Sequence, residues 1–252
     1  MRSTTWGIGV PGALGAEAIG LLATLAEHSG YQSFWFNCIA PHADPAALLD
    51  AALAGTHRIE IGVGVIPLDG YPAPTLAASL RGGRADDSRI VLGVGSGATR
   101  PGALTRVSEG IAQLRDALPR ARIAVGGKGP RMVALAAAVA DALLFSMLRP
   151  DEAPAVTTTA YNYHRVALDP GARHRVHDEM VSHGVWPGDA DIPDERDLLG
   201  TVLPSRSGAH DRVDTDLAAY PAHWRAVLRA LPSQPNELDE WRDLFYLLAP
   251  GD

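Results

Sequence analysis

Short, continuous apolar runs alternate with segments of helical period from Trp6 to Leu148. The runs are Trp6–Val10, Gln32–Ile39, Arg58–Ile66, Ile90–Val94, Ile123–Val125 and Ala142–Leu148. Between them, apolar residues recur three and four apart: Leu14 to Leu25, Leu48 to Leu53, Ala73 to Leu80, Val107 to Leu118, and Met132 to Val139. Asp44-Pro45 reads as an N-cap followed by a first-turn proline. Strands that are apolar without alternation predict burial on both faces, hence a parallel sheet covered by helices. Such a sheet is either open and doubly wound or closed. A chain of 252 residues suits one (β/α)8 TIM-type barrel. The C-terminal part supplies two further units: Ala160–Leu168 with a helix over Ala172–Ser182, and Trp224–Leu231 with a helix carrying Leu238, Trp241, Leu244, Phe245 and Leu248. One domain over 1–252 is expected, with a loop-rich excursion of Pro, Gly and Asp at about 186–213.

Charge and cysteine usage remove several function classes. A net charge of −7 lacks the basic footprint of a nucleic-acid binder. The one cysteine, Cys38, excludes an internal disulfide and makes the cytoplasm the expected compartment. The N-terminus shows no signal-peptide anatomy. The most apolar stretch, Val133 to Leu148, is broken by Asp141 and too short for a bilayer core of roughly 30 Å, so no membrane partner is expected. His174 and His177, with His183 nearby, lack the further ligands a metal needs and read as a solvated helix face.

In a barrel, function collects where strands end at their C-termini. Two glycine loops stand there: Gly93-Val94-Gly95-Ser96-Gly97, and Gly126-Gly127-Lys128-Gly129-Pro130, which runs straight into a helix. Glycine lets backbone N–H groups approach an anion, and a helix start favours negative charge. The pair predicts a phosphate cradle; tight turn geometry is the other reading. Lys128 is the chain's only lysine. Arg100 could meet a phosphate or lie on the surface. Asn37 could bond a ligand or shape a strand-end turn. Cys38 reads as a packed small side chain.

The run Ala51–Val65, then Leu92–Gly97, Gly127–Arg131 and Ala140–Leu144, resembles the luciferase-like monooxygenase superfamily, and Gly30–Trp35 resembles its second-strand entry. The resemblance implies a redox cofactor at the strand C-termini, either FMN or the deazaflavin coenzyme F420. It also implies a small organic substrate and a homodimer. It places the cofactor phosphate against Gly95, Ser96, Gly97 and against Gly127, Lys128, Gly129 and Pro130. It places the ring on Gly64-Val65, which matches a non-proline cis peptide of several members. It sets His42, after the second strand, toward the cofactor, where a histidine could give a proton or hydrogen bond near neutral pH. The implied activity is that of a flavin- or deazaflavin-dependent oxidoreductase of the monooxygenase type. The acid that some members carry after the first strand is missing from Gly9-Val10-Pro11-Gly12, and the connection from Gly97 to Val107 is short. A non-catalytic flavin-binding or subunit protein of the same fold is therefore the alternative. A lysine-dependent aldolase is disfavoured, because the only lysine lies in a glycine loop.

Overall fold

Residue parity decides which side chains fill the centre of this molecule. A computed structural model describes residues 6–38, 43–81, 87–98, 101–166, 172–182, 213, 215, 217–232 and 237–250. Eight parallel strands close into a barrel in chain order: β1 (Gly7–Val10), β2 (Ser33–Phe36), β3 (Glu60–Pro67), β4 (Ile90–Gly95), β5 (Arg122–Gly126), β6 (Ala142–Ser146), β7 (Thr159–Val166) and β8 (Trp224–Ala230). β8 returns to β1 with Val227 opposite Gly7 and Leu228 opposite Ile8. The helices with described bounds longer than one turn are α1 (Gly15–His28), α2 (Pro45–Ala54), α3 (Ala73–Leu80), α4 (Ala103–Ala117), α5 (Pro130–Val139), α6 (Ala172–Ser182) and α7 (Leu238–Leu247). The (β/α)8 reading of the sequence holds. The expected excursion at 186–213 lies outside the described residues except Val213, which is buried.

Local chemistry sets the element ends. Asp44 caps α2, its carboxylate accepting from the N–H groups of Ala46 at 3.0 Å and Ala47 at 3.4 Å. α1 ends where Gly30 takes φ 80°, with Tyr31 N–H returning to the Ala26 carbonyl. β2 ends at Phe36, three residues earlier than the apolar run suggests. Asn37 leaves the strand and its side-chain oxygen accepts from Gly12 N–H at 2.9 Å. β6 likewise ends at Ser146, because Met147 turns the chain at φ 56°.

The outward residues of the strands meet the helices in the larger core, to which α4 contributes Val107, Ile111 and Leu114. Each such aliphatic side chain contributes about 1.5–3 kcal/mol on burial. The inward residues form a separate cluster of Trp35, Val91, Ala124, Ala142, Leu144, Tyr161, Tyr163 and Val227. Rings and glycines share this interior. A Cβ on Gly62 would fall within the Trp35 ring, and one on Gly9 would lie 3.2 Å from the Tyr163 ring. Trp35 packs on Tyr161 at 4.7 Å and edge-on to Tyr163 at 5.7 Å.

The N-terminal end of the barrel is pinned by acids. Glu27, at the end of α1, accepts from three successive backbone N–H groups: His57 at 3.0 Å, Arg58 at 2.7 Å and Ile59 at 2.8 Å. Burial pushes its carboxyl up, but the three donors and the Arg58 charge outweigh this and hold it at about 2. Glu60 binds Arg122 and accepts from the Tyr161 hydroxyl at 2.7 Å, which ties β3, β5 and β7 together. Asp141 accepts from Ile123 N–H at 2.8 Å and meets Arg115 at 3.0 Å. The last helix seals the first elements. Trp6 donates its indole N–H to the Leu248 carbonyl at 2.9 Å, and the Tyr31 hydroxyl donates to the Phe245 carbonyl at 2.7 Å.

Candidate functional site

At the C-terminal end of β3 the ladder slips. Val63 pairs with Leu92, but Ile66 already pairs with Val94, so β3 carries an extra residue there. Gly64 and Val65 form this bulge, and the peptide between them is cis. Both line a cavity of about 450 Å³ in the mouth of the barrel, within the size range of pockets that hold small ligands and cofactors. The sequence requires glycine at two nearby points. A Cβ on Gly64 would strike the Tyr163 hydroxyl, and one on Gly126 would lie 2.6 Å from Val65 Cγ1. The bulge thus rests directly against the loop that follows β5.

Opposite the bulge, the wall comes from β6, β7 and β8: Leu144, Phe145 and Ser146, then Tyr163, Arg165 and Arg229. The Tyr163 hydroxyl is buried with no hydrogen-bond partner. Burial pushes its phenol up, against the opposing charges of Arg229 and Arg165. Cys38 also lines the cavity, and burial, followed by the Asp44 charge, pushes its thiol up to about 12. A thiol so held is a packing group, as the sequence suggests. Lys128 stands at the rim. Burial pulls its ammonium down, Glu152 pulls it up, and Arg165 pulls it down again. No carboxylate is among the described residues that line the cavity.

Five sequence candidates come together here: Asn37, Gly64, Val65, Gly127 and Lys128. The others sit differently. Gly129 caps α5 and Pro130 opens it, both exposed and beside the cavity rather than in its wall. Gly95 approaches Val65, where a Cβ would lie 3.4 Å from Cγ2. Ser96 and Gly97 turn toward other partners. The Ser96 carbonyl accepts from Arg106 at 3.1 Å, and Gly97, at φ 78°, packs so closely on the Asp69 carboxylate that no Cβ fits. That loop therefore behaves as a tight turn beside an acid. His42 and Arg100 lie outside the described residues. No group of metal-ligating side chains occurs among the described residues. No helix among them is long and apolar enough to cross a membrane.

Sequence reasoning missed Tyr163, Arg165 and Arg229. The signal was a period of two, Tyr161-x-Tyr163-x-Arg165 on β7 and Arg225-x-Val227-x-Arg229 on β8. The other parity of β7 carries Asn162 and His164, so the pattern alone did not say which set faces inward.

No protein-family model matches the sequence, and no curated protein does. Solved structures do. The coenzyme F420-dependent tetrahydromethanopterin reductase from Methanopyrus kandleri superposes with a TM-score of 0.68 at 13% identity, over 98% of each chain. An F420-dependent secondary alcohol dehydrogenase, in complex with an F420–acetone adduct, gives a TM-score of 0.67 at 14% identity, over 97% of this chain and 99% of that one. The oxygenating constituent of 3,6-diketocamphane monooxygenase from Pseudomonas putida, in complex with FMN, gives 0.60 at 13%, over 98% and 97%. The chain shares the barrel fold of these structures along nearly its whole length.

Proposed function

We propose that this protein is an oxidoreductase that binds FMN or coenzyme F420 in the barrel mouth and acts on a small organic substrate. One observation carries the reading. The two segments that the sequence marks for a ring and a phosphate, Gly64-Val65 and Gly127-Lys128, are far apart in the chain yet border a single cavity. The residues fit such a cofactor. A glycine-bearing floor with Leu144 and Tyr163 around it suits a planar ring, and Lys128 at the rim suits an acidic tail. Bound FMN or F420 would supply the redox chemistry.

The chain's own groups then have distinct tasks. Gly64 and Val65 set the height of the floor. Val65 is supported from behind by Gly126, so ring position and loop position are coupled. The Gly127 N–H is already spent on the Leu144 carbonyl, so the loop's charge on the acidic tail comes chiefly from Lys128 and from the start of α5. Leu144 and Tyr163 keep water from the reacting face. Cys38 stays a thiol and takes no proton away.

A second reading, binding without turnover, is favoured by the lack of any carboxylate among the described lining residues. Titration of apo-protein with FMN and separately with F420, followed by absorbance and fluorescence, tests the first claim. Saturable micromolar binding of one of them is expected; no binding of either removes the proposal. Rapid reoxidation of the reduced, bound cofactor only when substrate is added would then exclude the non-catalytic reading. A homodimer in solution belongs to the same proposal, and a monomer mass by light scattering would count against it.

A further inference from the structure

Tyr163 brings to the barrel mouth a donor that the fold leaves unused. Its ring is held by its neighbours. Trp35 meets it edge-on at 5.7 Å, Val227 pairs with it across the β7–β8 ladder, and Gly9 leaves it room, since a Cβ there would lie 3.2 Å from the ring. The residue is 8% exposed and lines the cavity. Its hydroxyl reaches the β3 bulge at the point that a Cβ on Gly64 would need, and Gly64 lines the same cavity. There the hydroxyl has no hydrogen-bond partner. A buried hydroxyl left so is unfavourable and uncommon in a native interior. Phenylalanine would place the same ring without that cost. A tyrosine here therefore points to an acceptor that arrives from outside the chain.

We infer that the Tyr163 hydroxyl selects the ligand of this cavity by donating a hydrogen bond to an uncharged carbonyl oxygen carried on an apolar or aromatic body. The inference rests on the proposed function only in taking this cavity as the ligand site. A carbonyl of the cofactor ring and a carbonyl of the substrate would make the same bond. Burial pushes the phenol up, so the proton stays on the oxygen and the group acts as a donor. One donor satisfies a carbonyl, whereas a carboxylate in the same place would keep a second oxygen desolvated. Lys128, Arg165 and Arg229 among the lining residues disfavour a cationic ligand. Val65 and Leu144, packed in the same interior cluster, suit an apolar body. Because the ring is fixed, the bond costs little ordering on association. A site built around such a donor discriminates against a ligand that lacks the acceptor.

The test compares the full wild-type chain with Tyr163→Phe. Cyclohexanone and methylenecyclohexane probe the substrate side; they share shape, and only the ketone accepts a hydrogen bond. FMN and F420 probe the ring side. Removal of the hydroxyl should cost roughly five- to hundredfold, either in the affinity of cyclohexanone relative to methylenecyclohexane or in the affinity of FMN or F420. Infrared difference spectra then identify the acceptor, because the carbonyl bonded to Tyr163 should absorb at lower frequency in the wild type than in the variant. A loss and a frequency shift with cyclohexanone assign the bond to the substrate; the same pair with FMN or F420 assigns it to the ring. The ligand-free variant should melt at an unchanged or higher temperature, since a buried donor without an acceptor has been removed. Unchanged affinities and carbonyl frequencies with every probe overturn the inference, and a lower melting temperature alone marks Tyr163 as a packing residue. If the wild type binds neither FMN nor F420, the cofactor reading fails by itself, while the cyclohexanone pair still decides on Tyr163.

Discussion

The two ends of this barrel use charge in opposite ways. At the N-terminal end every acid named above has its donors: Glu27 has three backbone N–H groups, Glu60 has Arg122 and Tyr161, and Asp141 has Ile123 N–H and Arg115. At the C-terminal end, glycines and a bulge open a cavity, and three cations line it with no described carboxylate. Matched charges tie strands and helices together at one end; at the other, small residues and a break in the ladder leave open space. The ion pairs that tie the barrel and the cavity therefore occupy separate ends of the same strands, the division that is general for this architecture.

That division can be broken experimentally. The largest effect should come from Glu60→Ala, which strands Tyr161 and Arg122 together. The expected loss is about 3 kcal/mol, at the low end for a broken buried pair because Arg122 is 39% exposed. It should lower the melting temperature by about 6–12 °C and leave cofactor affinity of the folded protein unchanged. If affinity falls in proportion, the ends are not independent.

Glu27→Gln should cost about 1–2 kcal/mol, since one neutral oxygen replaces a carboxylate with three donors. Its pH signature is specific. The carboxyl is held at about 2 against an ordinary 4.5, so its stabilisation is complete above pH 4.5 and is lost as pH falls toward 2. The variant's melting curve should be flatter across that window, and a parallel curve would refute the capping role. At the other end, Lys128→Ala should weaken FMN or F420 binding two- to thirtyfold, about 0.4–2 kcal/mol, and shift melting by no more than about 1–2 °C. Gly127→Val should do worse, because the new Cβ lies 2.7 Å from Met132 Cγ and its branches narrow the cavity. Smallest of all is Cys38. With its thiol near 12, iodoacetamide at pH 8 should label the native protein far more slowly than the unfolded chain. Equal labelling rates would show that the cavity wall opens.

The same division explains what could be read from sequence. Helices that bury one face declare themselves by spacing alone, and the reading of α3 and α6 agrees with the structure at both ends. The cis bulge at Gly64-Val65 was legible through the family resemblance, and the Gly127-Lys128 loop through its glycines and lone lysine. The arginines were not. Arg165 and Arg229 meet only through the β7–β8 register, and no local pattern states which strands become neighbours or which parity faces inward. The loop at Gly95–Gly97 taught the converse. Its glycine pattern matches that of the other loop, but only the fold reveals Asp69 beside Gly97.

The bond from Trp6 to the Leu248 carbonyl spans 242 residues, and β1 finds its second neighbour only in β8. On a ribosome adding roughly 5–20 residues per second, β1 therefore waits roughly 10–50 s with one edge unpaired. Such an edge is a template for other chains until it closes. The seal made by α7 thus also ends the interval in which the growing chain presents that edge.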